Sequence, residues 1–420
     1  MSPVLSRSVP ALGALILAGC SAFTGWVAPV YDRVVINRRP DPVYEQLFPH
    51  YAELCAVSQY RRSDGTVGGI PGHAVVYIKG ACLEPGAPYP RLEPCPGVAE
   101  HADDPHHGVG VSVNRWFKNV NWVGTPGKNL FFFGNLHPND MLDEAHLDRT
   151  LETALELGMF RGVELHEYPT EAPERSLRDF VENESLGTDF ALNFGRSVTC
   201  TRVPLQREQV DRMVAFLNEL NRQYAEGEAE YDWSGFHDNC VHLVRNSLAA
   251  AGVWAPKRTS VGWFRQLFNL PVPTNEFVEL SKRTAEFPLE QPDEVRADPV
   301  ARQSLLEHGW LPARHGAVLE TLHVHQKNEI FDRRVRFFAL RAPITRGHYE
   351  YIQDLLDDAR FVELGANLRF YEERYERILE TGDPEAATGD PEWSQHYREY
   401  VERQLEDVRG KLRVVEAAGL

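Results

Sequence analysis

The chain has 420 residues, 43% hydrophobic and 25% charged, which leaves room for two or three domains with a sizeable core and is not the composition of a disordered chain. A formal net charge of −17 without any basic stripe excludes nucleic acid as a partner, because binding to a phosphate backbone depends on clustered Lys and Arg. The acidity reads as a solubility feature. In chain order, Arg7 and the apolar run from Ala11 to Ala18 come first. That run is too short to span a bilayer and fits the apolar core of a signal peptide.

The run closes on Leu17-Ala18-Gly19-Cys20, which resembles the lipobox of bacterial lipoproteins. The resemblance implies that residues 1–20 form the signal and lipobox, with cleavage ahead of Cys20 and lipid attached to its thiol. Ser21 rather than Asp after that cysteine implies the outer membrane, facing the periplasm. No later run reaches transmembrane length, so lipid is expected to be the sole anchor of an envelope protein in an oxidising compartment.

Residues 21–45 look like a tether. A helix is expected over Val43–Gln59, then a turn at Gly68-Gly69-Ile70-Pro71-Gly72, then a strand opened by His73 and running through Ala74-Val75-Val76-Tyr77-Ile78-Lys79. Val109, Val111 and Val113 alternate with Gly110, Ser112 and Asn114 as a second strand, and Leu130–Phe133 reads as a third. Leu142–Phe160 reads as a helix, Ser197–Val203 as a strand and Gln206–Tyr224 as an amphipathic helix. Asp238-Asn239 precede an apolar-periodic run from Val241 to Ala251 that Gly252 stops, so Cys240 falls in the first turn of a helix. Past about Leu270 the chain turns polar. Helices are expected at Arg346–Ala359, Arg369–Leu379 and Glu392–Val415, and one hairpin from His315–Ile330 and Arg334–Arg341.

With Cys20 lipidated, Cys55, Cys82, Cys95, Cys200 and Cys240 remain, an odd number. Cys82 and Cys95 bracket a proline-rich loop, where a local disulfide would hold the excursion. Cys55 and Cys200 can pair as well, and Cys240 is then the unpaired thiol. The alternative is that some or all five are reduced and buried as small apolar residues.

A nucleophilic cysteine needs its thiolate, and a helix N-terminus supplies unpaired N–H groups and a dipole that favour it. An imidazole on a rigid element would take and return the proton, and His73 at the mouth of a strand suits that role. A third polar group would orient the ring. If the second strand pairs antiparallel with the first, Asn114 lies beside His73, with Ser112 on the same face; His106 and His107 are rivals. His242 sits about 200° around the helix from Cys240 and reads as structural.

The segment Asp238-Asn239-Cys240-Val241-His242-Leu243-Val244, with His73-Ala74-Val75-Val76-Tyr77-Ile78 before it, resembles the circularly permuted branch of the NlpC-like papain-fold superfamily. That branch includes lecithin retinol acyltransferase-like and bacterial amidase-like proteins. The likeness covers roughly residues 70 to 255 and also takes in the Gln206–Tyr224 helix and Tyr231. It implies an α+β fold with an antiparallel sheet on the Cys240 helix, and hydrolysis or transfer at amide, peptide, thioester or ester carbonyls without a cofactor. The loop from Gly80 to Gly108 departs from the family pattern, so no third residue carries over.

The expected organisation is therefore a papain-like thiol hydrolase domain over residues 46–270 and a mainly helical region over 271–420. Peptidoglycan peptides and lipid acyl groups are the substrates that suit an anchored envelope protein, and a non-catalytic scaffold or binding module is the rival. His101, Asp103, Asp104, His106 and His107, and separately His323 and His325, read as solvated polar patches rather than metal sites. Trp233, Trp254, Trp263 and Phe264 suit either an apolar cleft or core packing.

Overall fold

A computed structural model describes residues 42–419, except 59, 63–66, 69–71, 97–106, 138–139, 170–175, 236–237, 259–272, 323–330, 333–350, 352–353 and 383. Cys20 and tether residues 21–41 lie outside the described residues, as do His101, Asp103, Asp104, His106, Trp263, Phe264, His323 and His325. Residues 42–45, expected as the end of the tether, belong to the helix Pro42–Leu47, with Tyr44 buried.

The fold is α+β. Its centre is a six-stranded sheet in the order Val318–Leu322, Val198–Pro204, Tyr51–Val57, His73–Lys79, Val109–Ser112, Val123–Pro126, and each neighbouring pair is antiparallel. Apolar cores lie on both faces. Ala52, Leu54, Ala74 and Val76 face one, together with the helices Arg207–Ala225 and Cys240–Ala250. Tyr51, Cys55, Val75 and Tyr77 face the other, covered by the helices Leu364–Thr381 and Pro391–Ala417.

Coverage of both faces explains the first departure from expectation. Instead of one helix over Val43–Gln59, a short helix Pro42–Leu47 is followed by the strand Tyr51–Val57. All seven strand residues are buried, so the polar–apolar alternation that marks a half-exposed strand is missing. Leu130–Phe133 is helical, within Lys128–Phe133, rather than a third strand. A run of four apolar residues carries no usable period, and left-handed Gly134 stops the helix. The helix expected over Leu142–Phe160 spans Glu144–Glu156, capped by the Asp143 side chain.

The region beyond residue 270 is helical at Pro273–Ala285, Pro292–Ala297, Pro299–His308, Leu364–Thr381 and Pro391–Ala417. It also gives the edge strand Val318–Leu322 to the main sheet, while Phe331–Asp332 pairs with Tyr60–Arg62. The remainder of the expected hairpin lies outside the described residues.

Two disulfides form. Cys82–Cys95 closes the proline-rich loop, and Cys55–Cys200 joins residues directly opposed on neighbouring strands. Among the described residues, Cys240 is the free thiol. No helix among the described residues is long and apolar enough to cross a membrane.

Candidate active site

Asn239 builds the N-terminus of the Cys240 helix. Its Oδ1 accepts from Val241 N at 3.0 Å, and its Nδ2 donates to the carbonyls of Ser234 at 3.2 Å and Gly235 at 2.9 Å. The cap therefore fixes both the first turn and the loop that leads into it. His242 Nδ1 lies 3.1 Å from the same Oδ1.

The Cys240 helix packs against the His73–Lys79 strand. The backbone N–H groups of Ala74, Val241 and Cys240 itself face the sulfur and favour its anion, as does the nearby Arg196 charge. Burial opposes them and prevails, pushing the thiol up to about 11. The sequence-based expectation of a thiolate favoured by the helix N-terminus is thus reversed in this closed arrangement. Cys240 is 8% exposed, and desolvation outweighs the dipole.

His73 is 7% exposed and immediately precedes the amide that faces the sulfur. Burial, reinforced by the Arg196 charge, lowers its imidazole to about 3. Thiol and imidazole are consequently both neutral near pH 7. The ring's Nε2 lies 2.8 Å from Ser112 Oγ, and no hydrogen bond joins the ring to the thiol.

The group meeting His73 is thus Ser112, not Asn114. Ser112 Oγ donates to Asp189 Oδ1 at 2.6 Å, while Asn114 Nδ2 donates to Asp189 Oδ2 at 2.9 Å. The strand register accounts for this: Val76 opposes Val111 and Tyr77 opposes Gly110, so His73 shares a face with both Ser112 and Asn114. Asn114 serves one step further back, on the carboxylate. His107, the described member of the rival pair, is buried, and its carbonyl accepts from the Tyr77 hydroxyl at 2.9 Å.

Sequence reasoning missed Asp189. It sits in a tight turn in which the N–H groups of Thr188 and Asp189 both reach Ser185 O, and left-handed Gly187 makes the bend. Ser185 Oγ also donates to Asp189 Oδ2 at 2.7 Å. The carboxylate is fully buried, and desolvation pushes it up to about 6 despite the Ser112, Ser185 and Asn114 bonds and the Arg196 charge. Arg196, 1% exposed, donates Nη2 to Thr188 Oγ1 at 3.2 Å and so belongs to the same turn. Two residues past the carboxylate, Ala191 adopts φ 51°, a left-handed conformation unusual for a residue with a Cβ. The turn's only advance signal is Gly-Thr-Asp, one acidic residue among 61 in the chain.

Beside the strand end, a surface depression of about 360 Å³ is lined by Arg115, Trp116, His166 and Asp232. Trp233 is exposed next to it in sequence, whereas Trp254 is packed under the Arg245 guanidinium, 4.1 Å from its ring centre. Tyr231, fully buried ahead of the Cys240 helix, keeps a hydroxyl without a hydrogen-bond partner. Among the described residues, the one grouping with metal-ligand spacing is Glu53, Cys55 and Cys200, and there both sulfurs are tied up in a disulfide.

Compared with protein-family models, curated proteins and solved structures, the chain matches none.

Proposed function

We propose that the protein is a lipid-anchored envelope thiol hydrolase or acyltransferase of the permuted papain-like kind, acting on an amide, peptide or ester bond. The observation carrying this reading is the buried polar line His73–Ser112–Asp189 behind the residue whose neighbouring amide faces the Cys240 sulfur. A buried carboxylate is costly and needs several donors to hold it, so a core that keeps one behind an imidazole gains more from it than packing.

In this mechanism Cys240 attacks the carbonyl carbon as its proton passes to His73, forming the C–S bond. The imidazolium returns that proton to the leaving amine or alcohol as its bond to carbon breaks. Water, or another acyl acceptor, then attacks the thioester carbon and gives its proton to His73, which returns it to the sulfur as the C–S bond breaks and the Cys240 thiol is restored. Neutral resting partners suit a site that ionises only as substrate arrives. The Arg115–Trp116 depression, next in sequence to Asn114, offers an approach. Peptidoglycan peptides and lipid acyl groups fit the proposed location. Two disulfides support an oxidising compartment, and the Cys20 lipobox supports the lipid anchor and the outer membrane.

The test is mass spectrometry of the exported chain after exposure to amide, ester and thioester acyl donors. An acyl adduct on Cys240, slowed at least about 100-fold in His73→Ala, is the expected result. No adduct with any donor sinks the reading. A second reading, a non-catalytic scaffold with Cys240 as a core residue, draws on the burial and raised pKa of the thiol. Full stability and envelope function in Cys240→Ala would favour it.

A further inference from the structure

The line behind His73 passes through a hydroxyl, and a hydroxyl has a single proton to give. Ser112 Oγ stands 2.8 Å from His73 Nε2 and 2.6 Å from Asp189 Oδ1. An ionised carboxylate only accepts, so the Ser112 proton goes to Asp189. Ser112 then presents only lone pairs to the ring, and the hydrogen between Ser112 and His73 must come from Nε2.

We propose that Asp189, acting through Ser112, is the positioning residue that holds His73 as its Nε2–H tautomer and so leaves the lone pair on Nδ1. The tautomer stands on these hydrogen bonds alone. That Nδ1 receives the Cys240 proton rests additionally on the thiol-hydrolase reading.

The carboxylate is held in one orientation. Oδ2 accepts from Asn114 Nδ2 at 2.9 Å and from Ser185 Oγ at 2.7 Å, and Thr125 Oγ1 donates to the Asp189 carbonyl at 3.2 Å. Those contacts predict what an amide would do in its place. In Asp189→Asn the two donors at Oδ2 draw the amide oxygen to themselves, which turns the NH2 group toward Ser112. Ser112 accepts from that NH2 and donates to Nε2 instead. The ring proton then moves to Nδ1, so a near-isosteric change reverses the tautomer (the polarity of the line flips while its geometry stays).

The experiment is a nitrogen–proton correlation spectrum of the exported full chain carrying 15N-histidine, recorded at about pH 8, where Asp189 is ionised. His73 is assigned by the loss of its signals in His73→Gln. The parent should show a protonated Nε2 and an unprotonated Nδ1, Asp189→Asn the reverse, and Asp189→Asn with Ser112→Ala no reversal. A parent with protonated Nδ1, or an unchanged pattern in Asp189→Asn, overturns the proposal. Should Asp189→Asn fail to fold, Ser112→Ala carries the test. Its Nε2 proton, no longer held, should lose its signal to solvent exchange, and an unchanged signal overturns the proposal. Because the tautomer is read without substrate, an inert Cys240 leaves this result intact and counts only against the hydrolase reading.

Discussion

Ser112 and Asp189 lie 77 positions apart in the chain, and their side chains meet across 2.6 Å inside the core. One ends a strand that runs beside the His73 strand, and the other sits in a turn made by Ser185 and Gly187. Their contact sets what His73 faces on its inner side. At the neighbouring residue, the Ala74 amide faces the Cys240 sulfur, whose ionisation burial opposes more strongly than the surrounding N–H groups and the Arg196 charge favour it.

That environment yields the first prediction. With Cys240 pushed up to about 11 from an ordinary 9.0, the thiolate fraction at about pH 8 is roughly 100-fold below that of an unperturbed thiol. Alkylation of the substrate-free protein by iodoacetamide should be slow to at least that degree and should climb through the alkaline range. His73→Ala should leave the profile in place, since the burial that sets it remains. Rapid labelling with an apparent pKa below 8.5, abolished by His73→Ala, would reveal a standing ion pair and overturn the neutral-pair description.

Stability as a function of pH gives the second. Asp189 titrates near 6 in the fold and near 3.8 when unfolded, so its contribution is fully present below 3.8 and is lost as pH rises through 6. His73 runs the other way. Its value of about 3 lies below 6.5, so its contribution is present above 6.5 and is lost as pH falls toward 3. Between 3.8 and 6 the two effects oppose each other. Asp189→Asn removes one of them, and relative to the parent it should be up to about 3 kcal/mol better off at neutral pH than at pH 4. Urea unfolding at the two pH values measures the difference. An equal gap at both would show that Asp189 is not held neutral-favouring by burial.

How much of this was legible in the sequence depended on whether a signal was local. The Asn239 cap, the Cys240 helix, the His73 strand and the alternation at Val109–Val113 all announce themselves within a dozen residues, and each is present. The antiparallel pairing of that strand with the His73 strand entered only as a condition, and with it the alternation put Ser112 and Asn114 on the face that His73 shares. The choice between those two did not follow, because it depends on where a third chain segment places a carboxylate. Tyr51–Val57 was illegible for a related reason: its partners on both sides and its covers on both faces come from segments up to hundreds of residues away. A strand buried all round loses the period-two pattern that identifies strands.

Disulfide removal gives the third prediction, which turns on loop length. Cys55–Cys200 spans 145 positions and Cys82–Cys95 spans 13. On the chain-entropy account the longer crosslink is worth about 5 kcal/mol and the shorter about 3. Replacing Cys55 and Cys200 together by alanine should therefore cost more than replacing Cys82 and Cys95, and a central crosslink between opposed strands leaves no local compensation. Urea midpoints of the two double variants decide it. A larger loss from the Cys82 and Cys95 pair would mean that loop length does not govern the ranking.

The last prediction concerns Asn239, which does two jobs with one amide. Its oxygen caps the helix through Val241 N, and its nitrogen ties down the carbonyls of Ser234 and Gly235. Asn239→Ala removes both and should cost about 1 to 2 kcal/mol, the range of a lost cap. Because the lost bonds hold the turn that buries Cys240, iodoacetamide labelling should quicken several-fold even though the overall fold persists. Asn239→Asp separates the two jobs. It keeps an acceptor for Val241 N and loses the two donors, and it sets a negative charge beside the sulfur. Asp should therefore recover much of the stability while labelling stays slower than in Asn239→Ala, since the added charge disfavours the thiolate. Labelling that is equally fast in both variants would show that exposure alone, without the local charge, controls the thiol.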